Sequence, residues 1–223
     1  MKLTLKEKLL LLSISNKTGW SYASNFSYAL AGAIILELVE NKKLILSENR
    51  LVIRNTKSTG DIILDDVIKR IRKKEKKLKI KRWVSKIGLS PHKYKKEIYT
   101  RLISMKVLEK KIFRFLGIIP IDKYLVIDIK LKDEFINDLR NLINGKNDDE
   151  ELKILLSLLG ALSILGRIFK DKEERKKAKK MVKEIKSSSE IGKAVDQTIR
   201  EVNAAIIAAV TSSAAATAAT SGK

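Results

Sequence analysis

Ala29-Leu30-Ala31-Gly32-Ala33-Ile34-Ile35-Leu36 carries no polar side chain, and the stretch around it reads as one helix ending at about Glu40. A helix that is apolar on nearly every side is covered on every side. This one is therefore read as a central, enclosed helix, with Asn25 or Ser24 placed to cap its start. A chain organised around such a helix is expected to be mainly α. The expected architecture is a single globular domain, residues 1–223, with core helices surrounded by amphipathic ones and small β-hairpins.

Working outward, Leu5 to Ile14 forms an apolar opening helix that Asn16-Lys17-Thr18-Gly19 interrupts. Downstream, Leu44-Ile45-Leu46 and Arg50-Leu51-Val52-Ile53-Arg54 flank a Ser47-Glu48-Asn49 turn and predict a hairpin. Asp61 sits at the N-cap of a helix whose Ile63, Val67 and Ile71 recur every four residues. A short helix over Lys81 to Ile87 carries Trp83. Ser90-Pro91 opens another in the N-cap and N1 arrangement, with Tyr94, Ile98, Leu102 and Met105 as its inner stripe.

Lys110 to Pro120 and Lys123 to Asp128 read as two strands joined by a bend containing Gly and Pro. Four more helices complete the pattern: an amphipathic one marked by Phe135, Ile136, Leu139, Leu142 and Ile143; one over Glu150 to Phe169; a basic one over Lys172 to Lys186; and a small-residue one from Ile191 to about Thr217. No stretch holds the roughly 20 strongly apolar residues of a membrane span. The N-terminus has charges among its apolar residues and lacks a signal-peptide core, which fits a cytoplasmic protein.

Charge is concentrated. Between Lys69 and Lys96 stand fourteen Lys and Arg against one Glu, a net +13 of the chain's +21, and Lys170 to Lys186 adds +5. Such a field calls for an anionic polymer or surface. Nucleic acid and anionic membrane both present rows of phosphates, so charge alone does not choose between them.

Chemistry beyond binding finds little support. Without Cys there is no thiolate nucleophile or zinc site, and a solitary His92 excludes His-based metal triads; no cofactor or metal is expected. Asp61, Asp65 and Asp66 form the nearest thing to a carboxylate cluster, and capping and the helix dipole account for them. The expected protein is not an enzyme.

Two binding readings remain. In one, the helix from Pro91 and the following strand pair make a nucleic-acid-binding winged helix. In the other, the basic surface grips lipid headgroups and the bend of Phe115, Leu116, Ile118 and Ile119 enters the membrane interface. A wing lying on phosphates would expose Lys and Arg at its tip, and this bend is apolar. Phe113 and Phe115 read equally well as core.

Assembled, these residues resemble the Golgi phosphoprotein family. The matching stretches are Leu3-Thr4-Leu5-x-Glu7-x-Leu9-Leu10-Leu11 at the start, Leu30-x-Gly32-x-Ile34-x-x-Glu37-Leu38, Thr59-Gly60-Asp61-x-x-Leu64-Asp65, Trp83-Val84 and Lys106-Val107-Leu108. The resemblance implies a mainly helical, non-enzymatic adaptor that binds phosphoinositide-like headgroups on the cytosolic face of a membrane. It also implies a headgroup pocket at His92 and Lys95, with Lys93 and Lys96 adjacent and Trp20 or Tyr22 as the nearest aromatic. Ala31 stands where the family's pocket has Arg, so a bidentate phosphate contact that Lys cannot replace is missing. The family's membrane-facing hairpin falls on Phe115 to Ile119. Lys73, Lys74, Lys76, Lys77, Lys81 and Arg82 are left as a general electrostatic surface. Anionic membrane lipids are the expected partners; cytosolic tails of membrane proteins, a second copy of the chain and nucleic acid stay open as further classes.

Overall fold

The capping residues fix where the helices begin. The computed structural model describes residues 2–23, 25–74, 78–116, 118–187, 201–209 and 211. Contacts divide the chain into two units, residues 1–26 with 92–181 and residues 27–91 with 182–223.

In the first unit, α1 (Leu5–Ser13) starts where the Thr4 N–H donates to Glu7 Oε2 at 2.8 Å. Every residue of α1 is buried, its charged Lys6, Glu7 and Lys8 included. Burial of those charges is tolerable because they are paired. Arg101 Nε lies 3.1 Å from Glu7 Oε1, and Lys8 Nζ lies 2.8 Å from Glu151 Oε1. Lys6 has partners as well. Helices α6 (Ile129–Ile143) and α7 (Glu150–Ala161) pack on α1 and on each other. Their starts are capped by Asp128 and Asp149, whose side chains accept from the Leu131 and Leu152 amides at 2.9 Å each.

The single helix expected over Glu150 to Phe169 is two. After α7, Ser163 turns left-handed (φ 58°), and α8 (Leu165–Ile168) follows. The Ser163 N–H donates to Gly160 O at 3.0 Å and the Ile164 N–H to Leu159 O at 3.2 Å, the paired bonds of a Schellman stop. Apolar periodicity runs through this stop because residues on both sides face the same core. Helix α9 (Lys172–Ser187) is capped by Asp171, which accepts from the Glu173 and Glu174 amides at 2.8 and 2.9 Å.

The same unit holds α5 (Pro91–Ser104) and the antiparallel pair β3 (Leu108–Phe115) and β4 (Ile119–Val126). Tyr94, Ile98 and Leu102 are the buried stripe of α5 as expected. Met105 lies past the helix, which ends at Ser104 because Lys106 turns left-handed (φ 58°). Pro120 lies within β4 opposite Arg114 instead of in the bend. A two-stranded sheet has only edge strands, so a Pro without an N–H is accommodated there.

The second unit is built on α2 (Phe26–Glu40), whose Ala29, Leu30, Ala31, Ala33, Ile34 and Ile35 are all buried. Ser24, one of its expected caps, lies outside the described residues. Strands β1 (Leu44–Ser47) and β2 (Arg50–Ile53) form the expected hairpin, with Arg54 beyond it, and β2 contacts α3 (Ile62–Arg72). The Asp61 carboxylate caps α3, accepting from the Ile63 and Leu64 amides at 2.9 and 3.1 Å. Helix α4 (Ile80–Gly88) buries Trp83 and Val84. Its Gly88 lies so close to Tyr28 that an added Cβ would sit 2.5 Å from the ring, which explains a glycine inside a helix. Residues 201–209 are helical; the rest of the expected C-terminal helix lies outside the described residues.

The protein is thus mainly α, with two small antiparallel hairpins among the described residues. No helix among the described residues is long and apolar enough to cross a membrane.

Candidate functional site

Helix α5 sets the geometry of the candidate site. Positions 92, 95, 96 and 99 fall on one face at spacings of three, four and seven. His92, Lys93 and Lys96 are exposed, whereas Lys95 is half-buried and its ammonium lies 5.3 Å from the centre of the Phe26 ring. Burial holds the Lys95 pKa below the usual lysine value. A cation over an aromatic face is attracted by the ring quadrupole, yet that attraction leaves its hydrogen-bond donors open to an anion. The amides of the first turn of α5 add positive potential beside His92.

Farther along the same face, Tyr99 stacks on Tyr124 of β4, with ring centres 3.6 Å apart and an 8° interplanar angle. Desolvation, helped by the neighbouring Tyr124, pushes the Tyr99 pKa up to about 12. The Tyr124 N–H points at Gly19 O, at 3.5 Å, in the loop that carries the aromatic residues. Gly19 is required there: its φ is +70°, and a Cβ would meet Leu125 Cδ2 at 3.0 Å and Tyr124 O at 3.1 Å. The loop is closed by the Ser15 N–H to Trp20 O and the Tyr22 N–H to Ser13 O, at 2.8 and 2.7 Å. From α6, buried Lys132 donates to Ile14 O and, at 2.8 Å, to Asn16 Oδ1.

Trp20 is 42% exposed and Tyr22 half-buried. Each faces a cation that the sequence did not single out. Lys123 Nζ lies 5.7 Å from the Trp20 ring and 4.2 Å from the Phe113 ring, and the Arg167 guanidinium lies 5.7 Å from Tyr22. For Lys123 a signal existed: the strand register puts it opposite Lys111, on the face that carries Phe113 and Ile121. Nothing local marks Arg167, which tertiary packing alone brings to Tyr22.

Among the described residues the β3–β4 hairpin is buried only at its root, at Leu108 and Val126. Toward the tip both faces are open: Ile112 and Phe113 are neighbours with opposite orientation, and both are exposed. Leu116 and Ile118 are 79% and 78% exposed, and Ile119 is exposed beside them. Phe113 is therefore not core. The Phe115 side chain lies outside what is described, although the residue pairs with Ile119 in the ladder.

The general electrostatic set belongs to the second unit. Lys73 and Lys74 follow α3, and Lys81 and Arg82 are exposed on α4; Lys76 and Lys77 lie outside the described residues. The carboxylate cluster dissolves into structure: Asp61 caps α3, and Asp65 accepts from Ser58 and Thr59. Among the described residues, no group of three or more His, Cys, Asp or Glu is placed to hold a metal ion.

A family model described as Golgi phosphoprotein 3 (GPP34) matches residues 5–202. The chain belongs to the Golgi phosphoprotein 3 family. It is also similar to Vacuolar protein sorting-associated protein 74 of Schizosaccharomyces pombe (strain 972 / ATCC 24843), with 25% identity over 155 residues. That match covers 59% of this chain and 45% of the yeast protein, so the chain spans less than half the length of the curated relative it matches. Within this Golgi phosphoprotein 3 family member, Ala31 is 0% exposed. The position where the resemblance puts an Arg is a packed interior position here.

Proposed function

We propose that this member of the Golgi phosphoprotein 3 family is a non-enzymatic peripheral membrane adaptor that docks on anionic phospholipid headgroups at the cytosolic face of a membrane. The observation that carries this reading is the hairpin tip, where Leu116, Ile118 and Ile119 stand exposed together on a projecting turn. Several adjacent apolar side chains held in water are unfavourable unless something covers them, and the acyl boundary of a bilayer does so. Cations lie where a headgroup layer would meet them. Lys111 and Lys123 face each other four ladder pairs back from Phe115 and Ile119 at the tip, and Lys95 on α5 holds its ammonium over the Phe26 ring. His92, Lys93 and Lys96 supply further donors at the start of α5, and Trp20 and Tyr22 supply aromatic rims.

Residues 1–223 are taken as one functional domain in this reading. Charge gives attraction of about 1 kcal/mol per Lys or Arg near the surface, and the apolar tip gives retention. With Ala31 in place of a fork-shaped donor, selection of one headgroup is weak and affinity for negative charge dominates. An exposed apolar tip also weighs against the winged-helix alternative, because duplex phosphates offer it nothing to bury against.

Vesicle flotation tests the proposal. Phosphatidylcholine vesicles containing an anionic lipid should retain the protein, and pure phosphatidylcholine should not. Leu116→Asp with Ile118→Asp should reduce retention at least tenfold with an unchanged circular-dichroism spectrum, since both side chains are already in water. Equal retention of wild type and double variant would sink the role given to the tip. Steep salt-dependent binding to duplex DNA with none to vesicles would favour the nucleic-acid reading.

A further inference from the structure

A cavity of about 330 Å³ opens beside α3 in the second unit, lined by Thr56, Ser58, Asp65, Ile68, Lys69, Arg72 and Lys73. Its size is that of a small-ligand site. Positions 65, 68, 69 and 72 form one face of α3, Lys73 continues it just past the helix end, and the loop at 56–59 is the opposite wall. That wall is built to hold its shape. The Ser58 hydroxyl donates to Asp65 Oδ2, and the Thr59 amide and hydroxyl donate to Asp65 Oδ1 at 2.8 and 2.7 Å. Lys43, itself buried, donates to Lys57 O at 2.7 Å.

Asp65 has a second effect. At i,i+4 it would ordinarily pair with Lys69, but its oxygens are turned to the loop. Among the described residues no carboxylate pairs with Lys69, Arg72 or Lys73. The Thr56 hydroxyl likewise donates to no group among them. Three cations against one carboxylate leave the cavity at +2. A phosphomonoester, close to −2 at neutral pH with three acceptor oxygens, balances that charge. A carboxylate or a phosphodiester, with one charge, balances half of it. Arg72 offers two parallel donors that suit phosphate oxygens.

We infer that the groove between α3 and the 56–59 loop binds a phosphomonoester, held by Lys69, Arg72 and Lys73 with Thr56 as a further donor. The same chemistry is offered by a free phosphate and by a monophosphorylated lipid headgroup. Two-dimensional NMR of the full chain, titrated with inorganic phosphate at constant ionic strength, should show saturable shifts in the amides of 56–59 and 65–73. Arg72→Gln should weaken that binding about tenfold, the worth of one charge-assisted contact. Lys74→Gln, beyond the cavity, should leave it unchanged. Lys95→Gln should also leave these shifts in place, which separates this site from the one on α5.

Flotation then identifies the source. Loss of retention by Arg72→Gln on phosphatidylcholine vesicles carrying a phosphatidylinositol monophosphate, but not on those carrying phosphatidylserine, assigns the site to a lipid headgroup. Phosphate shifts without any such loss assign it to a soluble phosphate. Three results would each overturn the inference: acetate shifting the same amides equally, Lys74→Gln weakening binding as much as Arg72→Gln, or neither phosphate nor the monophosphate vesicles responding to Arg72→Gln.

Discussion

Lys132 shows how one buried cation shapes the loop that carries Trp20 and Tyr22. It is 3% exposed, and desolvation lowers its pKa from 10.5 to about 8, with a small opposing contribution from Asp133. Its ammonium is kept in place by the Ile14 carbonyl and the Asn16 side chain. The unfolded chain keeps the proton up to about pH 10.5 and the folded chain releases it near pH 8. The unfolded state therefore binds more protons in that interval, and stability rises with pH there. Below pH 8 the burial cost is present in full. The gain is at most about 3 kcal/mol, and it is best followed between pH 8 and 10, because Tyr99 acts oppositely above pH 10. Folded Tyr99 keeps its proton to about pH 12, so stability falls as pH rises from 10 toward 12. Denaturant midpoints should increase from pH 8 to 10 in wild type and increase clearly less in Lys132→Met, where Lys95, also lowered by burial, leaves a residual rise. Parallel curves for the two proteins would remove Lys132 as the cause. This residue was not legible in the sequence, where it is one Lys among many on an amphipathic helix. Ala31 was legible as a departure from the family pattern, and its complete burial supplies the physical meaning.

At the scale of elements, helix stops are the least economical feature of the chain. Helices α2, α5 and α7 each end with a left-handed residue that is not glycine: Lys42 (φ 53°), Lys106 (φ 58°) and Ser163 (φ 58°). In each, the next N–H reaches back to Leu38, Leu102 or Leu159 at 2.9, 2.9 and 3.2 Å. The stops survive because the following Val107 and Ile164 are buried and drive the reversal. A side chain in that conformation costs about 1 kcal/mol relative to glycine. Ser163→Gly should therefore raise the unfolding free energy by about 1 kcal/mol, read as a higher denaturant midpoint at constant slope. A lower midpoint would mean that the hydroxyl stabilises the turn by some other route. Because glycine is absent from that stop, Glu150 to Phe169 reads as one helix in sequence. The Asp61 cap and the Leu44 to Ile53 hairpin were legible for the opposite reason: their signals are local, a capping carboxylate and two strand-forming runs across a short turn. The exposed hairpin tip was legible only in composition, since apolar residues at a bend fit either core or interface until burial is known.

For the whole molecule, the sequence established the field but not its arrangement. The +21 charge and its concentration between Lys69 and Lys96 are properties of composition. That His92, Lys95, Trp20 and the hairpin belong to one unit, and Lys73 to Arg82 to another, follows from an interleaved chain path that periodicity does not encode. This division separates two contributions to membrane docking in the proposed reading. Exposed lysines of the second unit supply attraction without a built site around Lys81 and Arg82, so their effect should be additive and salt-sensitive. Screening shortens the reach of surface charge from about 10 Å at 0.1 M salt to about 3 Å at 1 M. Partitioning of wild type onto vesicles containing phosphatidylserine should fall more than tenfold across that range. Lys81→Gln with Arg82→Gln should lower partitioning at 0.1 M by up to about 2 kcal/mol, at about 1 kcal/mol for each charge, and should flatten the salt dependence. A Leu116→Ser, Ile118→Ser protein, whose net charge is that of the wild type, should keep the wild-type salt slope while binding more weakly at every salt concentration, because it lacks the apolar term alone. If the hairpin variant instead lost the salt slope, attraction and insertion would not be separable contributions, and the division of labour between basic surface and apolar tip would be wrong.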